Sequence, residues 1–342
     1  MRGLAYAFAL LLAGVFASPA TTIDAQGVAT GMMGQQPGTA VASGTTFRAS
    51  TELVALNVTV TDSRDRYVTG LSKDDFAVFE DGIPQDVTFF AATNVSLDLA
   101  IMIDTSASMA DKIGLVHEAA THFVHALRAG DRAEILGFSD RTQVLAPFTG
   151  DVAALEAAIN ATAPHGSTAL YTSLYVALED LGRLARRQGD VRRQAIVVLT
   201  DGEDTSSLLS FDDLMDVAKR SGVVVYPISV ISQFDTKKLD DGGSRRFITE
   251  SDFSLKSLAQ ETGGRSFFPM ELKDLNGVYQ QIAEELTSQY SLAYAPTVFG
   301  DGAFHRLLVR VLHHPDARSR TRSGYYASRP LRISLIGSGS RQ

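Results

Sequence analysis

The chain has 342 residues, room for one large domain or two, and its 45% hydrophobic and 20% charged content describes a globular protein. A net charge of −8 argues against a general nucleic-acid binder. There is no cysteine, which excludes disulfides, thiolate metal ligands and cysteine nucleophiles together.

Arg2 precedes a mostly apolar run from Leu4 to Ala17, then Ser18-Pro19-Ala20. A basic start, a short apolar core and small residues predict a secretory signal peptide over residues 1–20, cut near Ala20 or at Ala25. The run is shorter than the ~20 apolar residues of a bilayer span. An exported protein, periplasmic or extracellular, with no stable membrane span after cleavage is therefore expected. Residues 21–46 are rich in Gly, Ala, Thr and Gln and read as a flexible linker.

Residues 47–93 form a β segment. Glu52 to Thr61 alternates and is β-branched, and Phe76–Glu80 and Val87–Phe90 are further strands around the turn Glu80-Asp81-Gly82. Residues 94–288 alternate strand and helix. The strands are Leu97–Ile103, Ala133–Phe138 (with Thr142–Pro147 as a hairpin partner), Ala195–Thr200, Val223–Val230 and the short Arg265–Phe268. The helices are Lys112–Arg128, Val152–Ala161, Ala169–Arg187, Phe211–Ser221, Leu255–Thr262 and Asp274–Ser288. Apolar strands separated by helices predict an α/β fold with a mostly parallel central sheet flanked by helices. Residues 289–330 return to β, with alternation in Tyr290–Tyr294 and Arg306–Val311, and 331–342 is a tail. The two β segments are expected to pair with each other, so that the α/β domain is inserted in a small all-β domain. Residues 303–342 carry eight Arg and one Asp, read as arginines on exposed strand faces.

The chemistry sits where the first apolar strand stops, at Asp104-Thr105-Ser106-Ala107-Ser108. An acid followed by hydroxyls at +2 and +4 can turn three oxygens toward one point. Two later stretches, Pro164 to Leu170 and Thr200-Asp201-Gly202-Glu203-Asp204, offer oxygens at the same sheet edge, where ligands of such folds bind. Asp104, Ser106, Ser108, Thr168 and Asp201 would form an all-oxygen site of charge −2, suited to Mg²⁺, with Mn²⁺ as the other candidate. Such an ion keeps an open position that a carboxylate from another molecule can take.

At these residues the chain resembles the von Willebrand factor A domain family. The family's metal-ion-dependent adhesion site has the pattern Asp-x-Ser-x-Ser, a distant Thr and a distant Asp. All five positions match, at Asp104, Ser106, Ser108, Thr168 and Asp201, over a resemblance covering roughly residues 95–288. It implies that Ser106 and Ser108 bind the metal directly, Thr168 directly in the ligand-competent state, and Asp104 and Asp201 directly or through water. It further implies an acidic residue of a partner protein or peptide as the ligand, and movement of the last helix, about 274–288, between states. The flanks look like a bacterial secreted subgroup, through Val58–Asp62, Asp75–Gly82, Tyr294-Ala295-Pro296, Asp301-Gly302, His305 and Gly324-Tyr325-Tyr326.

Competing readings stand beside this one. Asp104 with its hydroxyls could cap a helix starting near Ala110, and Thr168 could cap the helix after it. Glu203 and Asp204 are expected to be solvated. His165 could touch a ligand, whereas His122 and His125 share a helix face but fall short of a zinc ligand set. With no Gly-x-Ser-x-Gly elbow and no Gly-Lys-Ser/Thr phosphate loop, no enzyme is expected. The alternatives are a structural envelope protein with a non-functional metal site, or a metal-dependent hydrolase with Glu203 as base. The polar stretch 233–252 is expected to overhang the metal and shape partner choice.

Overall fold

The computed structural model describes residues 53–92, 95–187, 192–201, 203–230, 236–238, 244–246, 249–297 and 300–327. The expected signal peptide, linker and tail lie outside the described residues, as does half of 233–252. Four strands come first: β1 (Val54–Thr61), β2 (Phe76–Glu80), β3 (Ile83–Gln85) and β4 (Val87–Ala91). The α/β block follows as β5 (Leu97–Asp104), α1 (Ile113–Val124), β6 (Arg132–Phe138), β7 (Thr142–Thr149), α2 (Val152–Asn160), α3 (Leu170–Arg187) and β8 (Arg193–Thr200). It continues through α4 (Phe211–Ser221), β9 (Val224–Ser229), the hairpin β10 (Thr236–Lys238) and β11 (Ser244–Arg246), α5 (Glu250–Thr262) and α6 (Leu275–Ser288). β12 (Tyr290–Tyr294), β13 (Phe304–Val311), β14 (Arg318–Arg320) and β15 (Gly324–Tyr326) close the chain.

The central sheet has the order β7-β6-β5-β8-β9, parallel except for the edge strand β7. β5 and β8 are buried at every residue, which is why their sequences are apolar without alternation. Leu99, Ile101 and Ile103 meet α1, α2 and α6 on one face; Ala100 and Met102 meet α3, α4 and α5 on the other. From β5 the chain steps to β6 on one side, then to β8 and β9 on the other. The order thus reverses at β5, and the loops after β5 and β8 leave toward opposite faces. That opens a crevice at their C-terminal ends, the place where sheets of this kind hold ligands.

The terminal strands build two four-stranded sheets, β14-β1-β12-β4 and β15-β13-β2-β3, each drawing on residues from both sides of the α/β block. β1 runs antiparallel to β12 with Leu56 opposite Leu292, and β13 runs antiparallel to β2 with Leu307 opposite Glu80. Val54, Leu56, Val58 and Val60 point inward at alternate positions to one core shared with Phe76, Val78, Leu292 and Val309. Two sheets over one core make a small sandwich.

Three local expectations need correction. The first helix of the block is Ile113–Val124, shorter at both ends than Lys112–Arg128. The helix expected from Leu255 begins at Glu250, because Thr249 and Asp252 form a capping box ahead of the apolar residues. Arg265–Phe268 makes a single bridge, Ile228 to Phe267, instead of a strand.

Candidate metal centre

Asp104 is the last residue of β5 and is fully buried. One carboxylate oxygen accepts from the Ser106 amide at 2.8 Å, the other from the Thr200 hydroxyl at 2.7 Å. Burial pushes the Asp104 carboxyl up; the Thr200 and Ser106 hydrogen bonds oppose this, and the charge of Asp201 adds to it. Two carboxyl groups therefore share one pocket. The Ser106 and Ser108 hydroxyls lie 3.0 Å apart and bond each other.

The loops are joined by their backbones. The Ala107 amide donates to the Gly166 carbonyl at 3.0 Å and the His165 amide to the Thr105 carbonyl at 2.6 Å. Gly166 has φ of 74°, a conformation that a side chain would strain, and so lets the 164–168 loop turn against the 104–108 loop. The Thr205 and Ser206 amides donate to the Thr168 carbonyl at 2.8 and 3.0 Å, joining the loop after β8 to the same unit. Thr168 is buried, and among the described residues its hydroxyl takes no hydrogen bond.

The capping readings fail on these contacts. Asp104 is spent on Ser106 and Thr200, and α1 has Lys112 at its N-cap with no side-chain capping bond. The start of α3 is capped by Asp204, which accepts from the Leu170 amide at 2.8 Å and the Ser207 hydroxyl at 2.7 Å. Asp204 is thus a structural acid, contrary to the solvated role expected for it. His165 is held by the Ala163 carbonyl at 2.8 Å and the Ser139 hydroxyl at 3.2 Å. His122 and His125 diverge, toward Asn276 and Glu156.

Sequence reading missed two residues. Thr200, the end of β8, orients Asp104. Lys112, only 4% exposed at its side chain, places its ammonium 3.1 Å from the Asp201 carboxylate and 3.0 Å from the Ser108 carbonyl. A lysine eight residues after Asp104, just before an amphipathic helix, is the signal that could have flagged it. With both carboxyls ionised, −2 and +1 leave the centre at −1. The donor set is otherwise oxygen alone, two carboxylates and three hydroxyls, the chemistry a hard dication requires.

The family model described as von Willebrand factor type A domain matches residues 98–270, just over half of the chain. The chain belongs to this family. Its A domain carries the mostly parallel sheet and flanking helices described above, alongside the additional β sheets. A protein described as "UPF0353 protein" from Mycolicibacterium paratuberculosis is 28% identical over 203 residues, 55% of this chain and 60% of that protein. One of the same description from Nocardia farcinica is 23% identical over 208 residues, 56% and 61% of the two chains. The chain thus spans about 60% of the length of these curated relatives. Among solved structures, the "von Willebrand factor type A from Catenulispora acidiphila" aligns with a TM-score of 0.46 at 12% identity, over 82% of this chain and 76% of that one. An aerotolerance-related membrane protein from Bacteroides fragilis aligns with a TM-score of 0.44 at 17% identity, over 56% and 98%. Among the described residues of this A-domain protein, no helix is long and apolar enough to cross a membrane.

Proposed function

We propose that the A domain is a metal-dependent protein-binding module. Asp104, Ser106, Ser108, Thr168 and Asp201 hold Mg²⁺ or Mn²⁺, and a carboxylate of a partner protein or peptide completes the metal shell. The observation that carries this reading is the joining of three separate loops around oxygens that serve no capping purpose. When bound, the ion supplies an electrophilic point for an acidic group. The chain's own groups do the rest. Thr200 and the Ser106 amide fix the Asp104 carboxylate, and Lys112 moderates the negative charge at Asp201.

The reading is one of binding and not of catalysis. The Ser106 and Ser108 hydroxyls face each other, with no base among the described residues taking their protons, and His165 is turned to Ser139 and Ala163. The signal peptide expected at residues 1–20 supports a module that works outside the cytoplasm.

The test is calorimetry with Mg²⁺ and Mn²⁺ on the native chain, Ser106→Ala and Asp104→Ala, with circular dichroism to confirm folding. The native protein binds one ion, and both folded variants lose at least about 100-fold in affinity, the scale of removing a ligand or its support. Unchanged affinity in folded Ser106→Ala would sink the assignment. A pulldown with and without chelator then asks whether the partner leaves with the metal.

A further inference from the structure

The sequence elements at the flanks of the A domain, Glu80-Asp81-Gly82, Asp301-Gly302, His305 and Gly324-Tyr325-Tyr326, converge at one point of the sandwich. β13 lies between β2 and β15, which brings His305 beside the end of β2 and opposite Tyr325. His305 is buried. Its Nδ1 lies 2.8 Å from an Asp81 carboxylate oxygen and 3.6 Å from Glu80 Oε1, and its Nε2 lies 3.2 Å from Asp301. The three prospective ligand atoms, one each from Glu80, Asp81 and His305, fall within 4.8 Å of one another.

We propose that Glu80, Asp81 and His305 form a second metal site, for a divalent transition ion of the zinc class, with Asp301 as the carboxylate behind the histidine. The first argument is the tautomer. An ionised carboxylate only accepts, so Asp301 requires the proton on Nε2. Asp81, 2.8 Å from Nδ1, makes the same demand there, so a proton or a metal stands between Nδ1 and its two carboxylates. The second argument is distance. At 3.6 Å, Glu80 Oε1 is too far from Nδ1 for a hydrogen bond. Two ligands on a tetrahedral ion with bonds of about 2.0 Å stand roughly 3.3 Å apart, near the Glu80 separation, while the 2.8 Å contact of Asp81 is a hydrogen-bond distance that an entering ion has to widen.

The third argument is what holds each ligand. Glu80 is 4% exposed, and its other oxygen accepts from the Tyr294 hydroxyl and, at 3.1 Å, from the Tyr325 hydroxyl. Its Oε1 takes no hydrogen bond among the described residues and is aimed at the cluster. Asp81 sits in a tight Asp-Gly turn with φ of 49°, and its second oxygen accepts from the Arg306 amide at 2.9 Å. His305 is oriented by Asp301, which is itself fixed by the Ala303 amide at 2.7 Å. Every ligand thus has a supporting partner on its far side, the outer shell that tunes and fixes metal ligands. Three carboxylates and a neutral imidazole sum to −3, and even an imidazolium leaves −2, so a dication is electrostatically favoured. Asp81 and Asp301 reach solvent, which gives the ion an entry path and a free coordination position.

The test titrates Zn²⁺ into the full chain by calorimetry, with excess Mg²⁺ present to occupy the A-domain centre. One zinc ion binds to the native chain and to Ser106→Ala alike, and raises the unfolding temperature of both. Affinity falls about 100-fold in His305→Asn and about 10-fold or more in Glu80→Gln. If His305→Asn does not fold, zinc K-edge absorption of the native complex decides, with one imidazole among oxygen ligands expected. Absence of zinc binding, equal binding in folded His305→Asn, binding lost in Ser106→Ala, or a shell without imidazole each overturns the site. A result in which only the proton occupies Nδ1, with no zinc bound, also overturns it.

Discussion

Lys112→Met should tighten Mg²⁺ binding at the A-domain centre and weaken the metal-free protein by the same amount. The ammonium is almost wholly buried, and its partner Asp201 is nearly so, at 4% and 8% side-chain exposure. The 3.1 Å contact is therefore a charge-assisted hydrogen bond shielded from water, worth about 1.5–3 kcal/mol. A dication that takes the Asp201 carboxylate must share it with the ammonium or displace it, and so forfeits part of that energy. Methionine fills a similar volume without the charge. In the variant the metal-free state loses the bond, while the metal-bound state loses little. At about 1.4 kcal/mol per decade, the affinity gain is roughly 10- to 100-fold. Calorimetry with Mg²⁺ measures the gain, and urea unfolding in chelator measures the matching loss of about 1.5–3 kcal/mol. At saturating Mg²⁺ the two proteins should unfold at nearly the same midpoint, because the ligand restores what the variant lost. Unchanged or weaker Mg²⁺ binding in Lys112→Met would refute the reasoning, since the lysine would then support the ion instead of competing with it.

Two further outcomes follow from buried groups in the same sheet. Thr200→Val removes the 2.7 Å donor to Asp104, and should weaken Mg²⁺ binding about 10-fold and lower metal-free stability by about 1–2 kcal/mol; an unaltered calorimetric affinity would show that Asp104 needs no such support. Glu134 is 9% exposed on β6, and burial, with the charges of Asp180 and Asp98, pushes its carboxyl from 4.5 up to about 7. Below pH 4.5 the group is protonated folded or unfolded; from there to about pH 7 only the unfolded chain releases the proton, so stability falls by about 3 kcal/mol and then levels. Glu134→Gln should flatten this slope, gaining stability relative to the native chain at pH 8 far more than at pH 5. Parallel urea-stability profiles across that range would count against a raised Glu134.

The parts of the fold written in local pattern were the parts that could be read. Uninterrupted apolar runs identify β5 and β8 because both faces are covered, and Ser210 with Asp213 marks the start of α4. α5 shows the limit. Its first turn, Glu250-Ser251-Asp252, carries no apolar period, and only the Thr249–Asp252 capping box announces it. Asp104, Ser106 and Ser108 can be chosen by spacing, since a strand end fixes where they fall. Thr200 and Lys112 cannot be chosen that way, because their roles depend on side-chain reach across separate elements. The same holds for Glu80 and His305, which are more than two hundred residues apart and meet only through the pairing of β2 with β13.

The other sheet of the sandwich, β14-β1-β12-β4, bears on how the A domain and the sandwich act together. Glu285, near the end of α6, is 1% exposed. One of its oxygens accepts from the Tyr226 hydroxyl of β9 at 2.8 Å and the Thr59 hydroxyl of β1 at 3.3 Å. The other meets Arg320 of β14 at 2.6 Å and the Tyr67 hydroxyl at 3.4 Å. A buried carboxylate is tolerated only while such partners remain, and breaking one from its cation costs several kcal/mol. Three of these partners, Thr59, Tyr67 and Arg320, belong to the sandwich, drawn from both of its chain segments. Resemblance to the family implies movement of this last helix between ligand states. Here a displacement of α6 must carry the sandwich strands with it or uncover Glu285. Were α6 to move with ligand state as the resemblance implies, binding at the proposed metal centre would be linked to the packing of the β sheets, with one coupling energy in both directions.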